Sequence, residues 1–135
     1  MAFAAVLNAV PKGAWLWLAV HAFATLAYDT QYALADLPDD KKLGLNSSAV
    51  FFGSASLAFI GYCQIMMLLL LIASGIFFQL NLIFFASIGL VTLLFAVQYW
   101  LSKNHDAKKC ILAFKSNHWV SLILLLAIAS QTMVR

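Results

Sequence analysis

The chain has 135 residues, of which 64% are apolar and only 10% charged, with no glutamate and a mean hydropathy of +0.94. Soluble domains run at roughly 45–50% apolar and about 25% charged. A water-soluble globule, a disordered chain, a collagen, a coiled coil and a cysteine-stapled secreted domain are therefore excluded, and an all-α integral membrane bundle remains. The net charge of +3 then bears on membrane topology and gives no reason to invoke nucleic acid.

In chain order, residues 1–10 are apolar but too short to cross a bilayer, and Pro11-Lys12-Gly13 follows them. No basic segment precedes the run, which argues against a signal peptide. Two readings stand for it: an arm lying in the membrane interface, or part of an interrupted helix. Residues 13–28 are predicted as the first span, and residues 29–47 as a polar loop. From Leu43 to Ser102 no charged residue occurs. A spanning helix needs about 20 residues, so this block predicts two spans, 48–72 and 80–100. The turn between them is expected at Ser74-Gly75, Gln79 and Asn81. Residues 103–115 form a second polar loop. In it Ala107, Cys110, Ile111 and Phe114 recur at i, i+3, i+4 and i+7, the pattern of a short amphipathic helix at the headgroup boundary. Lys108, Lys109 and Lys115 face elsewhere, either anchoring the surface or attracting an anionic substrate. Residues 116–134 close the chain with a span of about 28 Å. The expectation is one membrane domain over 1–135, with about four transmembrane helices and a short interfacial helix. Cys63 lies in an apolar run and Cys110 in the lysine-rich loop, so no disulfide is expected.

Two spans separate the polar loops, which places both on one side of the membrane. They hold six of the eight basic residues (Lys41, Lys42, Lys103, Lys108, Lys109 and Lys115), so both are read as cytoplasmic.

The first loop carries the chemistry. Residues 28–42, YDTQYALADLPDDKK, contain four of the five acidic residues. Asp29, Asp36 and Asp40 fall at i, i+7 and i+11, on one face if the helix continues. Pro38 is expected to kink or end that helix near Leu37, so Asp39 and Asp40 are expected to turn back, and Asp29 and Asp36 come first as candidate ligands. Crowded carboxylates repel unless a cation neutralises them. Hard oxygen ligands suit Mg²⁺, held by one or two carboxylates and substrate phosphates. Lys41 and Lys42 supply point charges for the phosphate. The competing reading is an ordinary solvated acidic loop with lysines that set topology.

The same residues resemble a known family. Tyr28-Asp29-Thr30-Gln31-Tyr32-Ala33, Asp36, Asp39-Asp40, Lys42-Leu43-Gly44, Ser47-Ser48 and Phe51-Phe52-Gly53 are similar to the second aspartate-rich motif of the UbiA-type membrane prenyltransferases. Within that family the wording is nearest to the 4-hydroxybenzoate polyprenyltransferases of ubiquinone biosynthesis. Cys110-Ile111-Leu112-Ala113-Phe114, with Asn117 and Val120, resembles the segment that opens the family's last helix. The resemblance runs from about Gly13 onward and implies a bundle of about nine helices, with two facing aspartate-rich motifs that bind Mg²⁺ and a polyprenyl diphosphate. The first motif is absent, so the expectation is the C-terminal half of such an enzyme, with Met1 an internal methionine.

The implied reaction joins the polyprenyl group to the ring carbon ortho to the hydroxyl of 4-hydroxybenzoate or a similar aromatic acid. It is implied to take place in the bacterial inner membrane. Asp29, Asp36 and Asp40 are implied as metal ligands or their supports, and Lys41 and Lys42 as diphosphate partners. Tyr28 and Tyr32 either shield the allylic cation with their ring faces or serve as interfacial anchors. One motif alone neutralises a diphosphate incompletely, so the chain by itself is not expected to turn over.

His21 is an intramembrane candidate, though a structural hydrogen bond explains it as well. Gln64 and Gln98 read as interhelical hydrogen-bond residues. In an isolated half, His21 and Gln64 are expected to meet lipid without partners. The alternative function is a non-enzymatic four-span protein, such as a small transporter or an assembly subunit. The carboxylates gather at the end of a span, which counts against transport.

Overall fold

A computed structural model of the chain describes residues 5, 6 and 8–133. Among them every regular element is helical: α1 (Lys12–Leu43), α2 (Ser48–Phe52), a 3₁₀ turn (Gly53–Ala55), α3 (Ser56–Phe77), α4 (Leu82–Ser102) and α5 (Ala107–Met133). The reading of residues 1–10 as part of a helix falls partly outside this description; among the described residues, 5 and 6 are helical and 8–10 are not.

Helix α1 begins after Pro11, which has no N–H to leave unpaired and whose carbonyl accepts the Ala14 N–H at 2.9 Å. The helix does not end at Pro38 but continues to Leu43, correcting the expected stop near Leu37. Leu34 and Ala35, in the turn before Pro38, are buried with Ala33, Ala49, Ile60 and Cys110. That packing holds the turn helical although the proline removes one backbone bond. The actual stop is Gly44, at φ +68°. Its left-handed conformation lets the Leu45 N–H reach the Asp40 carbonyl at 2.9 Å, a glycine cap of the Schellman type. Lys41 and Lys42 occupy the last turn, where positive charge suits the helix dipole. Asp39 and Asp40 therefore stay helical and do not turn back.

The Ser47 hydroxyl caps α2 by accepting the Val50 N–H. Ser56 then ties α2 to α3 by donating to the carbonyls of Ala49 (3.2 Å) and Gly53 (2.8 Å). Helix α3 runs through Ser74 and Gly75 to Phe77, so the turn expected at that pair lies further on. The chain reverses over residues 78–81, and the Asn81 side chain caps α4 by accepting the Phe84 N–H at 3.2 Å. Gly75 is a contact residue: a Cβ there would meet the rings of Phe84 and Phe85 at 2.9–3.1 Å. Across the turn, Gln131 of α5 donates to Asn81 Oδ1 at 2.6 Å and accepts the Asn81 N–H at 3.1 Å.

Asp106 caps α5 through the Lys108 N–H, and the helix is unbroken from there to Met133. The short interfacial helix expected over 107–115 is thus the first turns of a long one. Of its apolar stripe, Cys110 is fully buried, Ala107 and Phe114 are half-buried, and Ile111 stays exposed. Three stretches, Ser48–Phe77, Leu82–Ser102 and Ala107–Gln131, are long and apolar enough to cross a membrane. Helix α1 is not among them, so three of the four expected spans are found this way. A main core of Val20, Met67, Leu71, Phe84, Ile88, Val91, Phe95, Val120 and Leu124 joins α1, α3, α4 and α5.

Candidate functional site

The candidate site is laid out along the second half of α1. At 3.6 residues per turn, Asp29, Asp36 and Asp40 lie within about 40° of one another around the axis. Asp29 is exposed, and Asp36 and Asp40 are half-buried. Thr30, Gln31, Ala33 and Leu34 of the same helix are buried. The Thr30 hydroxyl satisfies itself on the Leu26 carbonyl at 2.8 Å.

Because α1 is continuous, axial distances follow from its rise. Asp36 and Asp40 are one turn apart, about 6 Å, whereas Asp29 precedes Asp36 by two turns, about 10.5 Å. Mg²⁺ binds oxygen at about 2.0–2.1 Å and commonly takes one or two carboxylates, with phosphate oxygens and water completing its sphere. The Asp36–Asp40 pair fits that donor set. Asp29 is too far along the axis to share an ion with Asp40. Among the described residues no three His, Cys, Asp or Glu side chains converge on one point, so any cation here needs oxygens from another source. The carboxylates of Asp29, Asp36 and Asp40 have no hydrogen-bond or ion-pair partner among the described residues. Asp39 differs, accepting from Lys42 Nζ at 3.4 Å in an exposed pair. Such surface pairs contribute about 0–1 kcal/mol, so Lys42 is readily released to another anion. Lys41 is exposed beside it.

Behind this face sits a polar hub built from all four long helices. Gln98 of α4 is fully buried. Its Oε1 accepts from Gln31 Nε2 of α1 at 3.1 Å and from Gln64 Nε2 of α3 at 2.8 Å. Its Nε2 donates to Ser116 Oγ at 2.8 Å and to Asn117 Oδ1 at 3.3 Å, both on α5. Asn117 Nδ2 returns to Gln31 Oε1 at 2.7 Å, closing a Gln31–Gln98–Asn117 triangle. Gln64 and Gln98 do link helices, as their sequence setting implied. Gln64 is satisfied inside the bundle and is not left to meet lipid. Gln31 and Asn117 stand inside the family-like segments, but no periodicity marks them as partners, because only the fold brings their helices together.

A cavity of about 300 Å³ opens beside the hub, lined among others by Trp17, Val20, His21, Tyr28, Met67, Phe95 and Asn117. A second recess of about 280 Å³ is lined by Tyr28, Phe114, Lys115, Asn117, His118 and Ser121. Tyr28, Asn117 and Ser121 line both. The Tyr28 and Tyr32 rings lean on Phe114 with centroids 6.1 and 5.3 Å away, so one α5 residue braces both tyrosines. Lys115, grouped in sequence with the surface lysines, stands at the recess. His21 lines the larger cavity and is exposed, with its carbonyl taken by the Thr25 hydroxyl at 2.9 Å. The arrangement offers an apolar groove with an aromatic wall, leading toward a helix end rich in carboxylates and lysines.

The family model described as "UbiA prenyltransferase family" matches residues 1–128. Among curated proteins, 4-hydroxybenzoate octaprenyltransferase of Aliivibrio fischeri (strain ATCC 700601 / ES114) is 38% identical over 134 residues, covering 99% of this chain and 47% of that protein. The protein of the same name from Francisella tularensis subsp. tularensis (strain WY96-3418) is 38% identical over 135 residues, covering 100% and 47%. That of Pseudomonas aeruginosa (strain LESB58) is 36% identical over 135 residues, covering 100% and 46%. The chain spans about half the length of the curated relatives it matches. No solved structure matches it.

Proposed function

This chain belongs to the UbiA prenyltransferase family, and from that premise we propose that it serves the transfer of a polyprenyl group from polyprenyl diphosphate to an aromatic acid such as 4-hydroxybenzoate. The observation that carries the reading is the unbroken α1, which sets Asp36 and Asp40 one turn apart on the same helix whose Tyr28 lines the apolar groove. In this proposal those two carboxylates hold Mg²⁺, and Asp29 lies deeper along the same flank. Bound there, the metal would supply positive charge to the leaving diphosphate. Lys41, and Lys42 once released from Asp39, add point charges to the same oxygens. The bond from the prenyl carbon to the diphosphate oxygen breaks, a carbon–carbon bond forms ortho to the acceptor hydroxyl, and that ring carbon loses its proton. Tyr28 and Tyr32, braced by Phe114, turn ring faces toward developing positive charge, an attraction of about 0.5–2 kcal/mol each. We place α1 across the membrane as the fourth span. We also place the protein in a bacterial inner membrane with both polar loops cytoplasmic.

The test is to reconstitute the chain alone, and together with the part of the Aliivibrio relative that lies outside the match, and to supply polyprenyl diphosphate, 4-hydroxybenzoate and Mg²⁺. Prenylated product is expected in the combined sample. Asp36→Asn or Asp40→Asn should lower turnover by about a hundredfold or more, the equivalent of roughly 2.7 kcal/mol of lost charge stabilisation. Undiminished turnover in both variants would overturn the metal assignment. Turnover by the chain alone would show that it does not need a facing motif.

A further inference from the structure

We infer that Gln98 is a positioning residue: through Gln31 it fixes the rotation of α1 and so sets where the carboxylates of Asp36 and Asp40 point. This rests on the proposed metal role of that pair and adds the device that aims it. Gln31 follows Asp29 by two residues and lies about 160° from it around the helix, so the pin and the aspartates occupy opposite sides of α1. Both ends of the Gln31 carboxamide are engaged. Its nitrogen donates to Gln98 and its oxygen accepts from Asn117. Rotating α1 breaks both bonds together.

Apolar packing does not set this rotation by itself. Helix α1 buries Val20, Ala27 and Leu34 but also exposes Trp15, Leu18 and Leu26. In a bilayer, lipid tails are as apolar as leucine, so either face packs acceptably. The buried amides break that near-equivalence, because burying them unpaired is costly. Gln98 is the member on which the hub depends: among the described residues it alone bonds to α1, α3 and α5. It lines neither cavity and touches no carboxylate. Its influence on the site therefore runs through Gln31.

The experiment uses the chain in lipid nanodiscs with Mn²⁺ as the probe ion, read by the loss of the free-ion EPR signal. In parallel, a spin label at Asp29→Cys reports the orientation of α1 by its accessibility to a water-soluble relaxant. Gln98→Leu should weaken Mn²⁺ binding about threefold, the fold-change that corresponds to the one bond to Gln31 it removes. It should also make the label less accessible. Gln31→Leu, which also removes the Asn117 bond, should do at least as much, and the double variant should be no worse than Gln31→Leu alone, because Gln98 acts on α1 through Gln31. Ser116→Ala breaks only bonds that do not reach α1, from Gln98 and to the Ala113 carbonyl, and should leave both readouts unchanged. A Gln98→Leu protein that melts lower, yet binds Mn²⁺ normally and keeps the label accessible, would overturn the inference and leave Gln98 a stabilising residue only. If Asp36→Asn/Asp40→Asn itself leaves Mn²⁺ binding unchanged, the metal assignment fails instead. The label then decides alone: altered accessibility upholds the pin, and unaltered accessibility overturns it.

Discussion

At Pro38 a local rule and a tertiary one compete. A proline inside a helix costs about 3 kcal/mol relative to alanine, through a lost N–H bond and a clash with the preceding turn. The burial of Leu34 and Ala35 against Ala49, Ile60 and Cys110 outweighs that cost, and Gly44 ends the helix instead. Pro38→Ala should consequently stabilise the protein, by about 2 kcal/mol once the greater freedom of the unfolded chain is subtracted. Thermal unfolding in detergent checks this, and an unchanged midpoint would mean the helix is already broken at that point. The spacing of Asp29, Asp36 and Asp40 was legible in the sequence because it needs only a helical period. Their division into a close pair and a distant third was not, because it required knowing that the helix survives Pro38.

Between elements, helix ends are the least legible feature: most of the polar loop expected over 29–47 is helical as far as Leu43, and the last helix starts at Ala107 and not at 116. The sixty uncharged residues from Leu43 to Ser102 announce two spans but contain few marks of where one stops. Gly75 looked like a turn because glycine bends chains. In a membrane bundle, small residues also let side chains from the next helix approach closely. Here Phe84 and Phe85 fill the space a side chain would need. Gly75→Val should therefore cost about 1–3 kcal/mol by overpacking, seen as a lower unfolding midpoint. Gly89, whose added Cβ would meet nothing within 4 Å, should tolerate alanine with little change. The stripe of Cys110, Ile111 and Phe114 is split by the fold, with Cys110 buried, Phe114 half-buried and Ile111 exposed. An apolar face is the same chemistry whether it meets lipid or α1, and only the assembled bundle distinguishes them. The hub was half legible: Gln64 and Gln98 stand out as amides in apolar helices, but Gln31 sits among charged neighbours that draw attention from it.

For the whole molecule, the distribution of charge predicts which way the bundle faces. The C-terminal ends of α1 and α4 and the start of α5 share one end, as the hub requires: Gln31 lies 12 residues before Leu43, Gln98 four before Ser102, and Asn117 ten after Ala107. That end carries Lys41, Lys42, Lys103, Lys108 and Lys109, and an excess of basic residues in short loops favours the cytoplasm. It also carries Asp36 and Asp40, about 7.5 and 13.5 Å beyond Gln31 along α1, where water-soluble cations can reach them. The turn over residues 78–81 has no charge at all and closes the opposite end. Single cysteines at Asn46 and Asn104 should then react with a membrane-impermeant thiol reagent only after the cytoplasmic side is opened. A cysteine at Leu82, which is 82% exposed, should react from outside. Native Cys63 and Cys110 are fully buried and give little background. Labelling of Asn46→Cys and Asn104→Cys from opposite sides would be inconsistent with the hub itself. Labelling of both from outside would keep the fold but invert it, and would put the carboxylate pair on the side away from cytoplasmic Mg²⁺ and diphosphate donors. The positive-inside bias and the proposed chemistry thus demand the same orientation for independent reasons, one from insertion and one from substrate access.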